Sequence, residues 1–259
     1  MPFLEPIINN WEIIFLFFLI AILYASVGFG GGSSYLAVLA LTALPFIQIR
    51  AIALICNIVV VTGGTYLYIE NNLFNWKKIT PLVIASVPMA FIGGYLKISS
   101  SFFFILLGLT LFIAALLMFS SKYISETAKI RSYKNSVFKN SAYGGIIGFV
   151  SGMVGIGGGI FLSPLLHLTK WDTPKKIAAT SSFFILVNSL SGLLGQVLNP
   201  QFSIPPYLTF ILMITVLIGG QIGTRLSIQL VSPDKLKKTT AILIVLVSIR
   251  IFYKYLLIS

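Results

Sequence analysis

Val27-Gly28-Phe29-Gly30-Gly31-Gly32 returns 127 residues later as Val154-Gly155-Ile156-Gly157-Gly158-Gly159. Each glycine costs a straight helix about 1 kcal/mol relative to alanine, and three are consecutive, so each run predicts a break between two half-helices. A hydrophobic helix precedes each copy and a short apolar one follows. Then comes a turn with Pro45 and Arg50 in the first case, and with Pro174, Lys175 and Lys176 in the second. A long helix with an embedded polar cluster is next in both: Cys56-Asn57 and Thr62-Gly63-Gly64, against Thr180-Ser181-Ser182 and Asn188-Ser189. A third match sets Ile92-Gly93-Gly94-Tyr95-Leu96 beside Ile222-Gly223-Thr224-Arg225-Leu226. One long internal period divides the chain into two related units, Met1 to Tyr123 and Ile124 to Ser259.

The surroundings of these runs are those of a membrane protein. Of 259 residues, 57% are hydrophobic and 9% charged, with a mean hydropathy of +0.99; a soluble domain is about a quarter charged. A helix needs roughly 20 apolar residues to cross the hydrocarbon core. Such stretches recur at Ile13 to Val27, Ala51 to Ile69, Ile79 to Leu96, Phe102 to Phe119, Ile177 to Leu198, Tyr207 to Ile228 and Leu236 to Leu257. The first follows Glu5 and Glu12 with no basic n-region, which predicts a retained membrane element and not a signal peptide. The net charge of +12 sits mainly in loops between spans, where Lys and Arg set topology and meet lipid headgroups. The single cysteine, Cys56, excludes an internal disulfide and a cysteine metal cluster.

Charge also decides between two topologies. If each broken helix crosses once, there are eight spans and the basic loops divide almost evenly between the two sides. If each turns back as a hairpin, Lys77 to Lys78, Lys122 to Lys139, Lys170 to Lys176 and Lys235 to Lys238 share one side, with Arg50, Lys97 and Lys254 opposite. The hairpin arrangement satisfies the positive-inside rule. It places both termini outside and makes the second unit enter from the opposite face, an inverted repeat. The expected fold is therefore all-α and polytopic: two inverted repeats, each a Gly-broken helical hairpin plus three transmembrane helices. Whether the hairpins span or re-enter stays open.

A glycine break followed by a helix offers unpaired N–H groups and the positive end of a helix dipole, which bind anions without a charged side chain. Gly30, Gly31 and Gly32 with Ser33 and Ser34 form one such end, and Gly157, Gly158 and Gly159 the other. Hairpins from opposite faces can bring two such ends together near the midplane. Neutral polar side chains inside the long spans can replace the water shell of an oxyanion. Asn57, Thr180, Ser181, Ser182, Asn188 and Gln221 are the candidates, with Arg225 a candidate anion attractor at the inner mouth. Thr62, Ser191 and Gln196 read equally well as interhelical hydrogen-bonding groups.

All six acidic residues lie near span ends or in loops, so no carboxylate is placed to relay protons through the core. His167, the only histidine, sits beside the basic Lys170 loop and reads as an interfacial residue. No phosphate-binding loop, H-E-x-x-H pattern or Ser, His and Asp set occurs, so neither an enzyme nor a bound cofactor or metal is expected.

These residues resemble the sulfite exporter TauE/SafE family of bacterial membrane permeases. The match rests on the duplicated V-G-x-G-G-G, on Pro174 to Ser181 as P-x-x-x-A-A-T-S, and on Gly219 to Leu226 as G-x-x-x-G-x-R-L. It covers essentially the full length. The resemblance implies inner-membrane transport of sulfite, organosulfonates such as sulfoacetate, or related small anions. Its glycine motifs fall on Gly30 to Gly32 and Gly157 to Gly159, and its A-T-S motif on Ala179 to Ser181. The first unit departs from that pattern, with Ile55-Cys56-Asn57 near the place of Ala-Thr-Ser.

The partners expected are a small anion, membrane lipid, a co-transported sodium ion or proton, and a second copy in a homodimer; nucleic acid is not among them. An inside-negative potential drives each negative charge outward by about 2.3 kcal/mol per 100 mV, so an uncoupled carrier exports. The rival reading is a membrane assembly protein with no transport cycle, in which bulky residues replace the tip glycines without consequence.

Overall fold

The computed structural model describes residues 11–26, 28–120 and 136–227. Val27, the basic residues from Lys122 to Lys134, the span Leu236 to Leu257 with its flanking lysines, and both termini lie outside the described residues.

Every element among the described residues is a helix. They are α1 (Trp11–Ala25), α2 (Gly32–Leu39), α3 (Phe46–Glu70), α4 (Trp76–Tyr95), α5 (Ser100–Ser120), α6 (Val137–Val154), α7 (Gly159–Leu168), α8 (Pro174–Val197) and α9 (Pro206–Ser227). Four of them, α3, α4, α8 and α9, are long and apolar enough to cross a membrane. Large apolar side chains such as Ile84, Ile146 and Phe210 are exposed on the outside, while Asn57, Ser86, Ser182 and Asn188 are buried. Around a core that is itself largely apolar, this apolar exterior is unlike a water-soluble fold and suits a hydrocarbon solvent.

Small residues set the helix directions. Gly144, Gly148 and Gly152 of α6 meet the backbone of Leu82, Ser86 and Ala90 of α4, four residues at a time on both, so the two helices run parallel in step. Helix α8 runs parallel to α4 as well: Ser191 Oγ donates to Val87 O at 2.6 Å, and Gly195 lies against Phe91 and Tyr95. In the same way Gly219 and Gly223 of α9 meet Phe18 and Ile22 of α1, and Gly220 and Gly63 bring α9 alongside α3. Close approach of this kind is how helices gain packing contact where lipid removes the hydrophobic drive.

Thus α1, α3 and α9 run one way and α4, α6 and α8 the other. Between α1 and α3, which run the same way, α2 must bring the chain back; between α6 and α8, α7 does so. The second case is also visible at one residue. Asn140, in the first turn of α6, donates to Lys78 O at 3.5 Å, and beyond α7 Lys78 Nζ donates to Trp171 O at 2.7 Å and pairs with Asp172 at 3.1 Å. Both ends of the α6–α7 pair therefore meet at the start of α4. Each glycine run is a reversal and not a kink in a single crossing.

These directions gather Lys77, Lys78, Lys139, Lys170, Lys175 and Lys176 at one end of the bundle, with Lys97 at the other. Arg50 differs from its sequence reading. It belongs to the second turn of α3 and is buried at 3% exposure, not held in a surface turn.

Candidate functional site

Both breaks end on the same backbone device. Gly31 caps α2 at φ +89° and Gly158 caps α7 at φ +85°, a left-handed conformation that side chains rarely adopt. Backbone bonding begins with Ser34 N and Tyr35 N on Gly31 O (3.0 and 2.9 Å), and with Phe161 N and Leu162 N on Gly158 O (both 3.1 Å). The amides of Gly32 and Ser33, and of Gly159 and Ile160, come before the first accepted bond and have no backbone acceptor among the described residues.

Asn57 joins the two. It projects from α3, is fully buried, and its Nδ2 donates to Ile156 O in the second break at 2.8 Å. The same amide covers Gly30 and Gly32 of the first break so closely that a Cβ on either would collide with it. One side chain thus spans both helix starts. Its Oδ1 has no hydrogen-bond partner among the described residues.

A small pocket opens here, with a cavity volume of about 10 Å³, room for roughly one water-sized group. Gly30 to Ser33 and Asn57 line one wall, and Ile156, Gly159 and Ile185 the other, with Tyr24 and Phe29 at the side. No charged side chain is among the lining residues. The polar side chains among the lining residues are Asn57, Ser33 and Tyr24. Tyr24 OH lies 2.6 Å from Ser34 Oγ and 3.5 Å from Ser33 Oγ, tying α1 to the start of α2.

The walls are not equivalent. Asn57 stands over Gly30 and Gly32; Ile185 stands over Gly159, while the buried Ser189 hydroxyl lies nearest Gly157, with Asn57 and Ile185 next. The structural counterpart of Asn57 is therefore an aliphatic residue of α8, one turn beyond Ala179-Thr180-Ser181, with which the sequence comparison paired it.

The structure brings Gly30, Gly31, Gly32, Ser33, Asn57, Gly157 and Gly159 together. Gly158 faces away, toward Phe184 and Ser151. The remaining candidates do not line the pocket. Thr180 Oγ1 returns to Lys176 O at 2.8 Å, Ser182 Oγ meets Thr65 Oγ1 at 3.2 Å across the α3–α8 seam, and Ser181 is buried beside them with an unpaired hydroxyl. Asn188 Nδ2 donates to Ser86 Oγ at 3.1 Å and Phe184 O at 2.8 Å. Gln221 packs over Gly63, and Arg225 is exposed at the end of α9. Tyr24, Ile156 and Ile185 were missed by sequence reasoning. Two of them look like ordinary apolar span residues, and Ile156 acts through its carbonyl, which carries no sequence signal.

Near the second break, Arg50 has no carboxylate partner among the described residues. Its Nη2 lies 3.2 Å from Gly152 O, 3.4 Å from Gly94 O and 3.5 Å from Gly93 O. These carbonyls close α6 and α4, so the guanidinium meets the negative ends of two helix dipoles.

Buried glycine-capped helix starts inside an apolar bundle are the arrangement the duplicated motif anticipates, and the comparison with known proteins agrees. Residues 13–251 match the family described as Sulfite exporter TauE/SafE. This chain belongs to that family. A Sinorhizobium fredii protein named "Probable membrane transporter protein y4hK" is 30% identical over 239 residues, covering 92% of this chain and 96% of that one. The Methanocaldococcus jannaschii "Probable membrane transporter protein MJ0441" is 29% identical over 175 residues, 63% of each chain. The Bacillus subtilis "Probable membrane transporter protein YunE" is 27% identical over 165 residues, 55% of this chain and 59% of that one. No solved structure matches. As a TauE/SafE member, the chain is a membrane protein of a transporter family.

Proposed function

We propose that this TauE/SafE protein carries a small oxyanion, such as sulfite or an organosulfonate, across the bacterial inner membrane, binding it between the starts of α2 and α7. The observation that carries this reading is Asn57, whose single side chain links both glycine-capped helix starts around one pocket free of charged side chains. Amides at helix starts stabilise an anion in a medium where a buried cation would be costly.

We further propose that residues 1–123 and 124–259 form an inverted repeat. The exchange of partners supports it: α4 of the first unit packs on α6 of the second, α9 of the second packs on α1 of the first, and α3 crosses α8 antiparallel between them. Two hairpins entering from opposite ends suit a site reached alternately from either side. With no acidic side chain at the pocket, coupling to a proton would use His167 or the substrate's own titration, and coupling to sodium would use exposed carbonyls.

The test is flux of labelled sulfite and sulfoacetate into proteoliposomes, under an imposed potential and with sodium and pH gradients varied separately. Flux is expected to follow one of these drives and to vanish in Gly31→Leu and Gly158→Leu proteins that still insert and fold. Wild-type flux in both folded variants would instead favour an assembly role. If His167→Ala leaves pH-driven flux unchanged, the histidine is not the proton carrier.

A further inference from the structure

The pocket wall formed by Asn57 has a polarity that depends on which way its amide faces. Exchanging the oxygen and nitrogen would aim Oδ1 at the carbonyl of Ile156, two acceptors in contact with no proton between them. The bond from Nδ2 to Ile156 O at 2.8 Å therefore fixes the orientation. It leaves Oδ1 beside Gly30, fully buried and unpartnered among the described residues, on a side chain that lines the pocket. A buried acceptor left unmet is costly, so the natural occupant is a group that donates to it.

Three kinds of occupant bring positive character to Oδ1: a water, a metal cation, or an anion carrying a hydroxyl hydrogen. A water held there would serve every anion alike, which the ligand pair below reads as equal binding. The starts of α2 and α7 put the positive ends of two helix dipoles on the same pocket, which disfavours a cation and favours an anion. A fully deprotonated oxyanion satisfies the amides of Gly32 and Ser33 and turns lone pairs toward Oδ1. A monoanion that keeps one O–H satisfies both.

We propose that the site selects oxyanions bearing a hydroxyl donor, the hydrogen-oxyanion form over the fully deprotonated one, and that Asn57 Oδ1 is the atom that makes the distinction. This rests on the pocket being the transport site. It adds the protonation state of the cargo, favours hydrogensulfite over the organosulfonates, whose sulfonate group carries no O–H, and makes Asn57 a specificity residue whose acceptor faces the ligand. The pocket supplies no neutral-range titration of its own. Among the described residues Tyr24 is the only titratable one lining it, and its hydroxyl lies 2.6 Å from Ser34 Oγ. Glu12 on α1, Tyr35 on α2, Arg50, Cys56, Tyr66, Tyr68 and Glu70 on α3, His167 on α7, Lys175 and Lys176 on α8, and Tyr207 and Arg225 on α9 are the other titratable groups on these helices, and none is among the lining residues.

The test uses two ligands of the same shape and different donor content. Methanesulfonate is a monoanion with no hydroxyl. Methylphosphonate is a monoanion with one hydroxyl at mildly acidic pH and a dianion without it at alkaline pH. Calorimetric binding to the purified full-length protein is measured for both, after sulfite binding has established an occupied site. At mildly acidic pH methylphosphonate is expected to bind about tenfold or more tightly than methanesulfonate, the effect of one buried acceptor satisfied or left empty. Above the ligand's own pKa its apparent affinity should fall about tenfold per pH unit, following the population of the binding form. The methanesulfonate affinity should stay flat over the same range. In a folded Asn57→Leu protein the preference should disappear.

Methanesulfonate binding as tightly as acidic methylphosphonate overturns the proposal, as do failure of acidic methylphosphonate to bind and a preference that survives Asn57→Leu. Should that variant not fold, the wild-type ligand pair decides alone. Absence of binding by sulfite and by both probes overturns the pocket as the anion site itself, a distinct result.

Discussion

At the scale of single residues, two buried polar side chains carry the centre of this protein, and they differ in how visible they were. Asn57 was legible because an amide inside an apolar run is expensive and calls for a partner; that its partner is the Ile156 carbonyl was not, since main-chain atoms leave no trace in residue type. Arg50 was misplaced by the sequence reading because a cation five residues past Pro45 looks like a surface turn. Its burial depends on where α4 and α6 happen to end, at Gly93, Gly94 and Gly152, which no local pattern encodes. Replacing Arg50 by glutamine should cost about 2 kcal/mol, because carbonyls at two helix ends lose a charged donor. Lysine should recover part of that, keeping the charge without a planar fork that reaches both ends. Thermal unfolding in detergent checks this, and a glutamine variant as stable as the wild type would remove Arg50 from the account.

Between helices, the pairing of α4 with α6 is set by what is missing at Gly144, Gly148 and Gly152. A Cβ at Gly152 would strike the backbone of Ala90, whereas one at Gly145, on the neighbouring face, would make ordinary contact with Met89 and Ala85. Gly152→Ala should therefore destabilise by about 1–3 kcal/mol, since the clash is with backbone that cannot rotate aside. Gly145→Ala should be neutral or stabilise by about 0.5–1 kcal/mol through the lower entropy of the unfolded chain. Denaturant titrations of the two variants compare them directly; equal effects would mean that the seam is looser than its backbone distances. Of this arrangement, the sequence showed the glycine breaks and their duplication. It did not show which helix each glycine faces, because the decisive partners are about 60 residues away along the chain and are chosen by the reversal at each break.

The molecule as a whole is organised by those two reversals. Lys78 records one of them, since the beginning of α6 and the stretch after α7 both reach it, and Asp172 completes the contact as a partly buried ion pair. Losing that pair should cost about 1–2 kcal/mol, less than a fully buried one, because Lys78 keeps 18% of its side chain exposed. The directions of the helices carry a second expectation. In a Cys56→Ser background, single cysteines at Lys77 and at Lys175 should react with an impermeant thiol reagent from one face of sealed vesicles, and a cysteine at Lys97 from the other. All three reacting from the same face would contradict the helix directions in the bilayer. The charge loops pointed to this arrangement before any geometry, because side preference is a property of the whole chain and survives ignorance of its packing.

The lining of the pocket has one more consequence. Its side chains carry no charge, and the buried Arg50 is fastened to helix-end carbonyls, so a carrier that keeps Arg50 in place moves only the charge of its passenger through the bilayer. The loaded crossing then feels the membrane voltage and the empty return does not. Driving such a cycle with ever larger voltage would raise the turnover only until the return of the vacant protein sets the pace, and the current would level off instead of climbing.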